Sequence, residues 1–561
     1  MCLEEESPAG MRELHTDIVI VGGGFGGVSA ALAALDEGRS VVMTEPTRWL
    51  GGQLTSQLVP TDDHFFIETT GANRSYRDFR SELRDFYRRN YPLTAEAAAD
   101  PNLNPGAAWV SPVSVDPRVA VHVIEGALLP YRNSGALTVL MEHEPVSAET
   151  EGDEVRAVTV RSTRTGDESV LRGRYFLDAT ELGDLLVLAD VEHVSGREAQ
   201  ADTGEPSAAE TADPTDMQSV TWCFAIDHID GADFTIDRPD GYEGIRDWSP
   251  VHRRGLPMLD FRAGINEDGS ARKLHHLNVN PDDDPFAIDL DHRHIGRTPD
   301  LWTYRRIAAR RQFRPGFIPS DITVVNWPMN DYVGGPLFGV DDAADHWRGA
   351  KALSASLLYW LQTEAPRPDG GTGWPGLRLR ADIAGTEDGF AMMPYVRESR
   401  RILARRTIVE QDVSLTLRGD RGARRYDDTV GTGHYYWIDR HPSTAGTIWN
   451  GDVPHPFEIP LGSLIPRRVR NLLPACKNIG TTQITNGCYR LHPVEWSIGE
   501  AAGSLAAYAI AESTEPHAVL DSTDRTADFQ RHLTRRGVQL RWPEGMLWSA
   551  NDEAGVPAVA S

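Results

Sequence analysis

The groups in this chain whose types and spacing most directly imply chemistry lie between residues 17 and 45. Gly22-Gly23-Gly24-Phe25-Gly26-Gly27 contains G-x-G-x-x-G at Gly22, Gly24 and Gly27, and Glu45 follows by roughly 20 residues. Such glycines cradle a pyrophosphate. Gly22 permits a tight turn, Gly24 lets backbone approach the phosphates, and Gly27 lets a helix pack closely on a sheet. Glu45 can accept hydrogen bonds from a ribose 2′-OH and would repel a 2′-phosphate, which disfavours an NADP-type ligand. The pattern predicts a dinucleotide site, for NAD or FAD, against the plainer reading of a structural glycine-rich turn.

The elements around these groups are those that must position them. Ile18-Val19-Ile20-Val21 has the β-branched character of a buried parallel strand. An Ala- and Leu-rich helix is expected over residues 28–36, then Gly38, then a second strand at Val41-Val42-Met43-Thr44. The free N–H groups at the helix N-terminus would face the phosphates. A second glycine-containing loop follows, Glu45-Pro46-Thr47-Arg48-Trp49-Leu50-Gly51-Gly52-Gln53-Leu54-Thr55-Ser56-Gln57. Far downstream come Cys476-Lys477-Asn478-Ile479-Gly480 and Arg490-Leu491-His492-Pro493-Val494-Glu495-Trp496. Pro493 suits the first turn of a helix, where its missing N–H costs nothing. That helix would present a small-residue face at Gly499, Ala502, Gly503 and Ala506 for close backbone packing.

On these motifs, together with Phe176-Leu177-Asp178-Ala179-Thr180 and Asp63-His64, the chain resembles an FAD-dependent oxidoreductase family, some of whose members carry the loose label "xanthan lyase". The resemblance covers most of the chain. It departs at Glu181, where related flavoproteins commonly have Gly after Ala-Thr. It implies FAD as cofactor and an α/β fold. That fold has a Rossmann-like FAD-binding domain of glutathione-reductase type, discontinuous, with an inserted α+β substrate or cap domain. It further implies that Val146 pairs its backbone with the adenine and that Ala179 and Thr180 pass the pyrophosphate. The loop with Gly51, Gly52, Gln53 and Leu54 would run along the ribityl chain and isoalloxazine. The start of the late helix, at Leu491, Pro493 and Val494, would face the flavin.

Flavin chemistry needs a group near the reacting carbon to take a proton as hydride leaves, or to hold the substrate. His492 adjoins the late helix and His64 follows the flavin-side loop; each is a candidate base, or else a hydrogen-bond donor to flavin or backbone. Lys477 is one of three lysines, with Lys273 and Lys351, and could order water for oxygen reduction or contact phosphate. The aromatic-polar segments 326–332 and 433–437 could line a substrate pocket or pack in the core.

The expected division is a discontinuous FAD-binding domain over 12–216 and 459–515, a substrate or cap domain over 217–458, and a C-terminal tail, 516–561, packed on the body. Within it, residues 136–140 read as a strand ending near 142–146, residues 155–160 as another, residues 397–413 as an amphipathic helix, and residues 196–216 as a polar, mobile excursion. Residues 282–284 read as an acidic turn. Gly370-Gly371-Thr372-Gly373 lacks a preceding apolar strand and reads as a loop, so no second nucleotide unit is expected. Oxygen, a quinone or a protein carrier would then be the electron acceptor.

A chain of 561 residues with 40% hydrophobic residues can hold two cored domains. Its net charge of −26 and pI near 5.1 argue against nucleic acid or anionic membranes as partners. No apolar run reaches the roughly 20 residues a membrane span needs and no secretory leader is visible, so the expected location is cytoplasmic. The four cysteines, Cys2, Cys223, Cys476 and Cys488, form neither a closely spaced redox pair nor a zinc site. The leading function is an FAD-dependent dehydrogenase or oxidase acting on a small organic molecule, with specialised metabolism as its setting. A flavin monooxygenase, a non-redox flavoenzyme such as an isomerase, and a flavin-loaded binding protein are the alternatives.

Overall fold

In the computed structural model, residues 3–6, 12–265, 271–281, 300–446 and 452–546 are described. Five parallel strands form the central sheet, in the order Leu472–Pro474, Tyr175–Asp178, Ile18–Val21, Val41–Glu45, Leu137–Met141. The first three pair deep in the core, where every residue is buried, which explains their unbroken apolar character. The glycine-motif strand lies in the middle, so the crevice at its C-terminal end is where a ligand of such a sheet binds. The arrangement is Rossmann-like, and its last strand arrives from nearly 300 residues downstream of its neighbour.

Two helices cross beneath this crevice. The Phe25–Asp36 helix begins three residues earlier than sequence periodicity suggests, directly at the glycine turn. The His492–Ala511 helix is buried along almost its whole length. Its small-residue face meets the first helix backbone to backbone: a Cβ on Gly499 would lie 2.0 Å from the Gly26 carbonyl oxygen, and one on Gly503 would lie 2.2 Å from that of Ala30.

A second sheet pairs Leu3–Glu6, Arg12–His15, Glu168–Arg172, Glu154–Ser162 and His143–Glu151. Here the expected strand ending near 142–146 is corrected. The chain turns at Glu142, φ 59°, and residues 143–151 start a new strand in this second sheet. A third, antiparallel sheet, Arg306–Ala308, Ile322–Val325, Phe224–His228 and Leu377–Leu379, lies in the region between the two cofactor segments.

Two further expectations are corrected. Residues 397–413 are not an amphipathic helix: only Glu410–Val413 is helical, and Arg401–Ile402 is a short strand. Arg397 and Arg401 are buried, pairing with Asp331 and Glu198; the charges that mimic a solvated helix face are interior ion pairs. Residues 196–216 are tied down, not a free excursion. Arg197 exchanges backbone hydrogen bonds with Asp213 and pairs with Asp216, and buried Glu205 accepts from Thr482 Oγ1 at 2.7 Å. Residues 370–376 form a loop, as expected. Residues 282–284 and Cys2 lie outside the described residues. The Thr523–Arg536 helix buries Phe529 and Leu533. Among the described residues no helix is long and apolar enough to cross a membrane, and no group of His, Cys, Asp and Glu is arranged to hold a metal ion.

Candidate cofactor and substrate site

The glycine turn is dictated by its surroundings. Gly22 has φ +103°, and a Cβ there would stand 2.3 Å from the Ala179 carbonyl oxygen, so the chain can turn only with glycine. Its N–H donates to Thr44 Oγ1 at 3.2 Å. Gly24 caps the following helix without a side-chain hydrogen bond, and the first turn carries no acid. The acid at that helix end comes from elsewhere in the chain: Glu495 Oε1 accepts the Gly26 N–H of the first turn.

Glu45 closes the neighbouring strand and is buried. Its Oε1 accepts from Thr47 N at 2.9 Å and Thr47 Oγ1 at 2.6 Å, and its Oε2 accepts from Gly23 N at 3.1 Å. Burial pushes its carboxyl up to about 7. Gly22, Gly24, Glu45, Pro46, Ala179 and Thr180 line a cavity of about 410 Å³ together with Gly52, Ser56 and Gln57. The wall reaches Pro145, next to Val146. Both side-chain amide atoms of Gln57 are buried without a partner, a cost that a polar ligand would remove. The cavity, the tight glycine turn and this orphaned amide fit a dinucleotide cofactor. Arg48 reaches across to the Gly385 carbonyl. Gly51 and Gly52, both at positive φ, fold the loop into a turn that buries Leu54.

The remaining predicted residues sit deeper. Gln53 Nε2 donates to Glu495 Oε2 at 2.6 Å and to the Arg490 carbonyl at 3.2 Å. Glu495 Oε1 accepts from Gly26 N at 3.2 Å, and burial, opposed by Lys477, pushes its carboxyl up to about 7. Lys477 is fully buried and pairs with Glu181. Glu181 takes the place of the usual glycine, and its Oε1 lies 3.2 Å from where a Gly24 Cβ would be. Buried His492 accepts the Asp62 N–H on Nδ1 at 3.0 Å, with Phe25 edge-on at 5.5 Å; burial lowers its pKa. Buried His64 holds backbone through both ring nitrogens, Gly71 O at 3.0 Å and Phe66 N at 3.1 Å, and burial lowers its pKa to about 4. Leu491, Pro493 and Val494 are buried at the helix start.

A second cavity, of about 300 Å³, is walled by aromatic residues, among them Trp109, Tyr304, Trp327, Tyr395 and Tyr435. Sequence segments 326–331 and 435–437 meet here, whereas Tyr332 turns away to pair with His346 and His434 packs near His64. The polar wall is a network. Asp331 accepts from Arg397 Nη2 at 3.0 Å, Thr221 Oγ1 at 2.5 Å and His441 Nδ1 at 2.9 Å. His441 Nε2 lies 3.4 Å from Asp439, which accepts from Arg490 Nη2 at 2.7 Å. Against the opposing effect of burial, Arg397 and His441 hold Asp331 well below the usual carboxylate range; His441 and Arg490 do the same for Asp439. Arg305 pairs with Asp62 at 3.0 Å.

Sequence reasoning did not identify Asp62, Arg305, Arg397, Asp439, His441 and Arg490 as site residues. The available signal was the density of charge beside aromatic residues, as in Trp437-Ile438-Asp439-Arg440-His441.

A sequence model of a family described as FAD dependent oxidoreductase matches residues 17–533. None of the curated proteins compared matches the chain. Among solved structures, similarity extends to a myxobacterial chondrochloren halogenase, with 13% identity and a TM-score of 0.21 over 38% of this chain and 43% of that one. It extends also to L-proline dehydrogenase from P. horikoshii, 13% identical, TM-score 0.17, over 33% and 24%. A third is glycerol-3-phosphate dehydrogenase from Bacillus halodurans, complexed with FAD, 11% identical, TM-score 0.23, over 38% and 40%. The chain thus spans less than half the length of each of these three.

Proposed function

The chain belongs to the FAD dependent oxidoreductase family, and from that premise we propose that it is a dehydrogenase or oxidase that removes hydride from a small organic substrate, in specialised metabolism. We read the fold as the glutathione-reductase type, with residues 12–216 and 459–515 forming a discontinuous FAD-binding domain. Residues 217–458 are the substrate or cap domain and 516–561 the tail. The return of Leu472–Pro474 to the sheet opened by Ile18–Val21 supports this division. Residues Gly22 to Gly27 would hold the pyrophosphate with Ala179 and Thr180, Glu45 with Pro46 and Thr47 the ribose, and Val146 the adenine. The loop from Arg48 to Leu54 and the helix start at Leu491, Pro493 and Val494 would hold the flavin half. Lys477 would balance Glu181 and Glu495 beside it.

FAD, when bound, supplies acceptance of a hydride from a substrate carbon. The chain's own residues supply the proton acceptor. In its neutral form His441 keeps hydrogen on Nδ1 toward Asp331 and offers Nε2 to the proton; the imidazolium that results, between Asp331 and Asp439, is the form that holds both carboxylates ionised. His492, whose Nδ1 takes the Asp62 N–H, and His64, both of whose ring nitrogens hold backbone groups, act as positioning residues for the flavin-side loop. The aromatic walls exclude water from the cavity. With no second nucleotide unit among the described residues, reoxidation falls to oxygen, a quinone or a protein carrier, with a transient visit by a nicotinamide as the alternative.

One observation carries this reading: the two cofactor segments bond directly to the cavity's polar wall. Gln53 donates to the Arg490 carbonyl and Arg490 Nη1 to Tyr395 at 2.6 Å; Asp62 joins His492 to Arg305. Anaerobic mixing of the yellow protein with candidate substrates tests it. Bleaching by substrate alone is expected; bleaching only by NAD(P)H would instead mark a monooxygenase.

A further inference from the structure

The wall of the aromatic cavity carries spare donors. On residues that line it, Arg305 Nε, Asn326 Nδ2, Trp327 Nε1 and Arg397 Nε are buried and make no hydrogen bond. All four are N–H groups, and two belong to guanidiniums that stay charged. Asp331 on the same wall accepts from Arg397, Thr221 and His441, and Asp439 accepts from Arg490 on Oδ2. A buried donor without an acceptor is costly, so the wall is complete only when something offering acceptors occupies the cavity. Val324 N–H donates to the Arg305 carbonyl at 3.1 Å, which sets the strand leading to Asn326 and Trp327 beside Arg305.

The other walls define the rest of the ligand. Tyr304 lies under the Arg305 guanidinium at 5.4 Å and Tyr395 under that of Arg397 at 4.9 Å, and Tyr435 and Trp327 are buried to within a few per cent. The guanidiniums cover the Tyr304 and Tyr395 rings, and an aromatic wall of this kind suits a flat ring as its guest. Resting on the reading of this cavity as the substrate site, we propose that it takes a flat aromatic molecule bearing a carboxylate, whose oxygens complete the Arg305, Asn326 and Trp327 donors. An amine would bring only more donors into a wall holding two guanidiniums. An uncharged carbonyl would satisfy fewer donors, without charge assistance.

Calorimetric titration of the FAD-loaded protein with 2-naphthoate, 2-naphthamide and 2-naphthylmethylammonium tests the proposal. Naphthoate should bind about tenfold or more tightly than the amide, as hydrogen bonds to a charged group exceed neutral ones by that order, and the ammonium least. Arg305→Gln should remove the preference for naphthoate. Trp327→Phe, which deletes one N–H and keeps the wall, should weaken naphthoate several-fold and leave the amide unchanged; it serves if the first variant loses FAD. Equal affinities, a preference for the amide or the ammonium, no binding by any probe, or naphthoate binding indifferent to both substitutions would each overturn it. Flavin bleaching by an uncharged substrate would sink the carboxylate class and keep the oxidoreductase reading. Selective naphthoate binding in a protein that no substrate bleaches would do the reverse.

Discussion

Gln53 Nε2 donates a 2.6 Å hydrogen bond to Glu495 Oε2, joining the loop after the second parallel strand to the helix that begins at His492. Because Glu495 also accepts the Gly26 N–H, one buried carboxylate fastens three segments drawn from opposite ends of the chain. Replacing Glu495 with Leu should leave both donors unsatisfied and cost about 2–4 kcal/mol of stability, with loss of FAD. Denaturant unfolding and the flavin content of the purified variant measure both; unchanged values would show that the three segments are held by packing alone.

The buried ion pair between Lys477 and Glu181 makes a second prediction. Lys477→Met should destabilise the fold by about 3 kcal/mol or more, because it strands Glu181 opposite the already buried Glu495. Adding Glu181→Gln should recover most of the loss in a thermal melt. A double variant no better than the single would place the role of Lys477 elsewhere.

Close helix packing predicts a contrast between glycines. Gly503→Ala places a Cβ 2.2 Å from the Ala30 carbonyl oxygen, a backbone atom that cannot step aside, and should cost about 3 kcal/mol or more. Gly126→Ala, in the exposed face of the Pro117–Ser134 helix with nothing within 4 Å, should stabilise by about 0.5–1 kcal/mol. Similar melting temperatures for the two variants would contradict the packing described.

The nucleotide unit and the small face at Gly499 and Gly503 are legible in sequence because each is local. A strand, a glycine turn, a helix and an acid follow one another within thirty residues, and helical spacing alone places the small residues on one side. The aromatic cavity is not legible in that way. Asp62, Arg305, Arg397 and the Asp439–His441 segment come from four separate parts of the chain whose meeting depends on tertiary packing, and buried arginines carry the same letters as solvated ones. Residues 397–413 show the consequence: their charges imitate a helix face while lying in the interior.

Glu45 gives a pH dependence whose sign follows from its environment. Its folded-state pKa is raised from 4.5 to about 7 by burial, so the favourable protonated form is fully present below about pH 4.5. Its contribution is lost as pH rises through about 7. Glu45→Gln stays neutral throughout. In FAD-free protein the variant should therefore gain on the parent by up to roughly 3 kcal/mol as pH rises across that window. Urea unfolding at stepped pH measures the difference, and a flat difference would mean that Glu45 ionises normally.

The most direct test concerns His441, held between Asp331 at 2.9 Å and Asp439 at 3.4 Å on the wall of the aromatic cavity. With any substrate found to bleach the flavin, single-turnover anaerobic reduction should be compared in the parent protein and in His441→Asn. The account predicts a rate about 10²–10⁴-fold lower in the variant, with FAD content and substrate affinity near those of the parent. Reduction at the parental rate would contradict it and remove His441 from the proton transfer.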